Sequence, residues 1–154
     1  MKKHSVYSTI IVLVFLLSCD TEEMKLDKLI DRQLAFAEEQ YKLMDARLPE
    51  NRLPRSYDLE TNELITSGSR WWCSGFFPGS LWYLYGETGD TLLKQMAMKR
   101  TALVEKEKNN TSTHDLGFML YNSLGNGLQI DSVNEYRASL LTGAYSLASR
   151  YHPT

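Results

Sequence analysis

The chain has 154 residues, 17 basic against 19 acidic side chains, and a net charge of −2 with a pI near 5.9. That balance, with no basic stripe, excludes a nucleic-acid partner. The two cysteines stand far apart, the three histidines are scattered, and neither CxxC nor HExxH occurs, so the residues offer no metal site and no cofactor.

The chain opens as a secretion signal. Lys2 and Lys3 precede the apolar run Ile10 to Leu17, which is shorter than the ~20 residues a spanning helix needs. Leu16-Leu17-Ser18-Cys19 has the pattern of a bacterial lipoprotein signal, with cleavage before Cys19 and acylation of its thiol. Residues 1–18 therefore read as a lipoprotein signal peptide and 19–23 as an acidic tether carrying Asp20, Glu22 and Glu23. The expected address is the outer membrane or periplasmic face of a Gram-negative, Bacteroidetes-like bacterium, with the lipid anchor holding the chain to the membrane. With Cys19 acylated, Cys73 has no disulfide partner and reads as a small packed residue.

Residues 24–154 are enough for one small domain and are almost wholly helical in pattern. Thr21 to Arg47 places Leu26, Leu29, Ile30, Leu34, Ala37, Tyr41, Met44 and Leu48 at three- and four-residue steps. Asp20 with Glu23 offers a capping box, and Pro49 closes the helix. Pro49 to Cys73 is a long polar loop, a length that suggests function, in which Glu63 to Thr66 has strand character.

Pro78 fits the first turn of a helix to Thr88. Asp90 caps the next, Thr91 to Lys108, with Leu92, Leu93, Met96, Leu103 and Val104 as its buried set. After the loop 109–113 comes a short helix from His114, ended by Gly125-Asn126-Gly127. Asp131 or Ser132, with Glu135, starts a last helix to Tyr151. Helix pairs 78–88 with 91–108 and 114–124 with 132–151, joined by short turns, are units of an α/α toroid. Such a ring must close to bury its inner layer. Five helices cannot close it, so the chain reads as a piece of something larger.

Two segments carry the chemistry. His114-Asp115 lies where a polar loop meets the apolar run Leu116 to Leu120, a junction at which a carboxylate can face a cavity. Asp115 is the catalytic candidate, although on position alone a plain N-cap is the simpler reading. A helix N-terminus favours the ionised carboxylate, which suits a base or an anionic stabiliser. Proton donation needs burial or a second carboxylate. His114 reads equally as a donor to an anionic substrate or as a packing residue. Trp72, before the Ser74-Gly75 break, can stack on a sugar ring. Trp71, Phe76, Phe77, Trp82, Tyr83 and Tyr85 read mostly as core. Arg55 and Arg70 could meet a uronate carboxylate, or be merely solvated.

Trp72-Cys73-Ser74-Gly75-Phe76-Phe77-Pro78-Gly79-Ser80-Leu81-Trp82-Tyr83-Leu84-Tyr85, Thr88-Gly89-Asp90, Thr113-His114-Asp115-Leu116-Gly117-Phe118-Met119 and Gly125-Asn126-Gly127 resemble, in this order, the N-terminal part of the unsaturated glucuronyl hydrolases of glycoside hydrolase family 88. Family 105, the unsaturated rhamnogalacturonyl hydrolases, shares the architecture. The resemblance implies an all-α fold, the first helices of an (α/α)6 barrel, incomplete in this chain. It also implies a reaction on unsaturated uronyl oligosaccharides left by polysaccharide lyases. An aspartate protonates C4 of the enol ether, water adds at C5, and the hemiketal opens to release the aglycone. This differs from glycoside hydrolysis by paired carboxylates at the anomeric carbon.

By motif, Asp115 matches one of the family's two key aspartates, His114 a substrate-contacting neighbour and Trp72 the aromatic beside the sugar. The assigned proton donor and the C-terminal barrel half have no counterpart here. The 154 residues alone are therefore expected to be inactive, with an exposed apolar face. From other classes, a non-catalytic glycan-binding surface lipoprotein and a helical adaptor remain open.

Overall fold

The computed structural model describes the backbone of residues 3–151 and the side chains of residues 24–151. The readings placed on the signal peptide, the acidic tether and the Cys19 thiol lie outside the residues whose side chains are described. The backbone is already helical from Lys3, so the expected Asp20–Glu23 box does not open the helix. Among the described residues no helix is long and apolar enough to cross a membrane. The chain divides into two units, Met1–Ala37 and Glu38–Thr154. In the first, the helix α1 (Lys3–Arg47) leaves Leu26, Leu29 and Ile30 exposed.

The second unit begins with the last turns of α1. Tyr41 stacks on Phe77 with ring centroids 5.5 Å apart, and Leu48 is buried. The long loop folds into an antiparallel hairpin, β1 (Leu53–Asp58) with β2 (Glu63–Ser67), so the strand expected at Glu63 to Thr66 is present and has found a partner. Asn62, at φ 58°, turns the hairpin; asparagine tolerates that left-handed conformation because its short side chain hydrogen-bonds locally. The ladder slips between Pro54 and Ser56, leaving Arg55 as an extra residue opposite no partner.

The helix α2 (Phe76–Thr88) starts two residues before Pro78 and ends at Gly89, whose φ of 72° is left-handed. Asp90 then caps α3 (Thr91–Glu105), as expected, its carboxylate accepting from the Leu92 N–H at 2.7 Å. The remaining residues to Asn109 tighten into a 3₁₀ turn. Leu93 and Val104 are fully buried but Leu92 is exposed; the buried stripe is Leu93, Ala97, Arg100, Thr101 and Val104.

Arg100 is the unexpected member. Its Nε donates to Asp45 at 2.6 Å, and its Nη atoms donate to the backbone carbonyls of Pro49, Arg52 and Asp45 at 2.9, 2.9 and 3.2 Å. One buried guanidinium thus ties the end of α1 and the start of the hairpin to α3. Beside it Trp82, fully buried, donates its indole N–H to Thr101 at 3.0 Å.

The next helix does not end where Gly125-Asn126-Gly127 suggested. α4 (Leu116–Leu120) passes through a π-helical turn, Tyr121–Gly125, straight into α5 (Asn126–Asp131). A β-carbon on Gly127 would fall 2.6 Å from the Tyr136 ring and 2.9 Å from Trp82. Glycine is there for close packing, not to stop the helix. Ser132, at φ 55°, makes the stop instead, so α6 (Glu135–Ala148) starts after it and without the expected capping box. Asp131 pairs with Lys94 of α3 at 2.7 Å and accepts from the Tyr85 hydroxyl at 3.0 Å. Leu116, Leu120, Leu128, Leu140, Leu141 and Leu147 of α4, α5 and α6 line an open apolar groove of about 350 Å³.

Candidate functional site

Two glycines bring the chemical segments together. A β-carbon on Gly75 would lie 2.1 Å from the carbonyl oxygen of Met119 and 2.4 Å from that of Phe118; one on Gly79 would lie 2.3 Å from that of Asn122. The backbone of α2 therefore rests directly on the backbone of α4 and its π turn, which only residues without a side chain permit. The four-residue spacing puts both glycines on one face of α2. Trp72, just before that contact, and Asp115, just before α4, are carried to the same edge of the unit.

At that edge Trp72 is 44% exposed and meets Phe76 and Phe118 edge-on, at centroid distances of 6.1 and 6.2 Å. Phe76 and Phe118 are tilted together at 6.1 Å, and both are exposed. Composition reads Phe76 as core, and Phe118 enters the sequence reading only as part of its motif. The signal was available, because Phe118 follows Asp115 by three residues and so shares its helix face. Trp71 and Trp72 are tilted at 6.4 Å, and the Arg55 guanidinium lies 4.2 Å over the Trp71 ring. Phe77 and Trp82 are core, as expected, whereas Tyr83 is exposed.

Asp115 occupies the N-cap position of α4, yet its side chain accepts no hydrogen bond from the helix amides. Its backbone, at φ −86° and ψ 8°, sits in the sparsely populated bridge region. The carboxylate, 23% exposed, accepts from the Thr113 hydroxyl at 3.3 Å and lies 3.3 Å from Nε2 of His114. The simpler reading, a carboxylate spent on tying off backbone amides, is therefore not what the fold contains. His114 is 84% exposed and lines a shallow pocket of about 380 Å³ with Gly117, Phe118, Tyr121, Asn122 and Leu147. Asp115 and Trp72 border this region but do not line that pocket.

Cys73 sits between the two segments. Burial pushes its thiol above the ordinary range, and the negative charge of Asp115 pushes the same way. A protonated thiol is a poor nucleophile, so the sulfur contributes packing. Of the two loop arginines, Arg70 donates to the Ser112 hydroxyl at 3.2 Å, and Arg55 stacks on Trp71. Among the described residues no group of three or more histidine, cysteine, aspartate or glutamate side chains could hold a metal ion.

No protein-family model matches the chain. A protein of Formosa agariphila described as an unsaturated glucuronyl hydrolase is 36% identical over 135 residues, which is 86% of this chain and 34% of that protein. The crystal structure of an unsaturated glucuronyl hydrolase specific for heparin superposes with a TM-score of 0.68 at 34% identity, over 73% of this chain and 30% of that one. An unsaturated glucuronyl hydrolase mutant of Streptococcus agalactiae complexed with dGlcA-GalNAc6S shares the fold, at a TM-score of 0.69 and 24% identity, over 79% of this chain and 33% of its own. The chain spans about a third of the length of each of these proteins. In sequence and in its α/α-barrel helices, this chain is similar to the unsaturated glucuronyl hydrolases, over most of its own length and about a third of theirs.

Proposed function

We propose that this chain serves the removal of a 4,5-unsaturated uronic acid from the non-reducing end of lyase-derived oligosaccharides, by hydration of the C4=C5 bond. The observation that best supports it is the 36% identity, over 86% of the chain, to a protein described as an unsaturated glucuronyl hydrolase. In this reading a proton is delivered to C4, water adds to C5, and the resulting hemiketal opens and expels the aglycone. Asp115 is one of two carboxylates the step requires, holding or polarising the reacting groups while a second acid supplies the proton. Two features suit Asp115 to that role: its side chain is not committed to the helix amides, and only part of it meets water. His114 donates to the substrate from the rim, and Trp72, with Phe76 and Phe118, presents the apolar wall on which a sugar ring stacks.

The test is a titration of the full chain with a lyase-derived unsaturated disaccharide and its saturated counterpart. Preference for the unsaturated sugar is expected. Equal affinity for the two sugars would favour the second reading, a glycan-binding surface protein, which the exposed ring cluster also suits.

The proposal extends to placement. Acylation at Cys19 would anchor the chain at the outer membrane or periplasmic face of a Gram-negative cell. Incorporation of labelled fatty acid that Cys19→Ala abolishes is the expected result, and label persisting in that variant would refute it.

A further inference from the structure

Three arginines lie in or next to the hairpin, and the structure uses two of them. Arg52 donates from Nε to the Thr66 hydroxyl at 3.1 Å and from Nη2 to the Thr66 carbonyl at 2.8 Å, which ties β1 to β2. Arg70 donates to Ser112 at 3.2 Å, which ties the end of the loop to the approach to α4. Arg55 is different. None of the ion pairs or hydrogen bonds among the described residues involves its guanidinium, and its one recorded partner is the face of Trp71.

Its backbone is different as well. The β-ladder pairs Pro54 with Thr66 and Ser56 with Ile65, so Arg55 is the residue of a β-bulge. In a regular strand, side chains alternate strictly between the two faces. A bulge breaks that alternation and re-aims one side chain, and bulges are enriched beside active sites for this reason. A bulge that places a cation on an indole, with no acceptor for its N–H donors, leaves a planar fork ready for an oxyanion. Contact with the Trp71 face holds the guanidinium in advance, so less freedom is lost when an anion binds. Trp71 is next to Trp72, so the fork lies one ring beyond the proposed stacking wall.

We propose that Arg55 is a specificity-determining residue: it binds an oxyanion, carboxylate or sulfate, on a saccharide unit stacked along the Trp72 wall. The inference rests on the carbohydrate reading of that wall and adds a charge requirement to it. The substrates it selects are oligosaccharides with an anionic group about one aromatic ring away from the unit over Trp72. Neutral oligosaccharides gain nothing from this residue.

The experiment is a binding titration of the full chain, followed by calorimetry. It uses a sulfated unsaturated heparin disaccharide, its desulfated form and neutral cellobiose, on the wild type and on Arg55→Gln, Arg55→Lys and Trp72→Ala. Arg55→Gln is expected to weaken the anionic sugars about tenfold, the scale of one charge-assisted contact. It should leave cellobiose unchanged and flatten the salt dependence. Arg55→Lys should recover part of the loss, since it keeps the charge without the fork. Loss confined to the sulfated sugar identifies sulfate as the bound group, and equal loss for both anionic sugars identifies the carboxylate. Unchanged anionic affinity in Arg55→Gln, or an equal loss for cellobiose, overturns the inference and leaves the stacking wall standing. Failure of the wild type to bind any of the three sugars overturns both.

Discussion

Arg100 and Asp115 are both charged residues on or beside helices, and they sit in opposite environments. Arg100 is 1% exposed and its donors are met by Asp45 and by the carbonyls of Pro49, Arg52 and Asp45. Asp115 keeps a quarter of its surface in water, declines the helix amides at hand, and makes only long contacts to Thr113 and His114. A buried charge with every donor nitrogen engaged by the fold is committed to holding it. A carboxylate with spare lone pairs, at the edge of an aromatic wall, has them available for a ligand. The difference separates architecture from chemistry more clearly than residue type does.

The largest effect expected from breaking the comparison is at Arg100. Arg100→Ala leaves Asp45 and the buried carbonyls without partners, a loss of about 3–5 kcal/mol in urea denaturation. Pairing Arg100→Met with Asp45→Leu should recover a good part of it, because no charge is then stranded. Next comes Gly79→Ala. Its methyl group would meet the Asn122 carbonyl, which is backbone and cannot swing aside, and overpacking of this kind costs about 1–3 kcal/mol. If thermal melts of that variant match wild type, the backbone contact between α2 and the π turn is not what joins the two segments.

A third effect depends on pH. The Lys94 ammonium, through its hydrogen bond, holds the Asp131 carboxyl below its usual range, and Asp131 raises Lys94 in return. The Asp131 contribution is present at neutral pH and lost as pH falls from about 4 through the folded-state value. The Lys94 contribution is complete at neutral pH and lost as pH rises beyond about 10.5. Burial pushes the Tyr136 hydroxyl up to about 12, so the unfolded chain ionises first and stability also falls between about 10 and 12. Asp131→Asn should blunt the acid limb of the stability profile, and Tyr136→Phe the alkaline one. An unchanged acid limb in Asp131→Asn would show that the pair does not survive in solution.

The smallest effect on stability is expected at the site. Asp115→Asn should shift the unfolding free energy by no more than about 0.5 kcal/mol, since its contacts are long and part-exposed. The same change should weaken binding of the unsaturated disaccharide. Destabilisation on the scale of Arg100→Ala would place Asp115 with the architecture.

Local chemistry made some elements legible at once. Asp90 caps α3 and Gly89 turns left-handed before it, because both effects operate within a few residues. Glu63 to Thr66 declared itself a strand by composition, but its partner and the slip at Arg55 depend on how the two arms meet. Arg100 could not have been read as core, since its burial requires acceptors some fifty residues away in the chain. Gly125 and Gly127 looked like a helix stop because glycine usually is one; here it makes room for rings of Tyr121, Tyr136 and Trp82. Phe76 and Phe118 are apolar enough for a core, and only the way α2 lies on α4 leaves them outside.

The sequence by itself determined the helical character of the chain, the Gly89-Asp90 turn and cap between α2 and α3, and the motifs around Trp72 and Asp115 that resemble a known family. All of these rest on interactions between neighbours in the chain. Tertiary structure decided which charges are buried, which aromatic rings face water, and where the bulged arginine points. Those depend on pairs of surfaces meeting at a particular distance, and that information is spread over residues far apart in the chain.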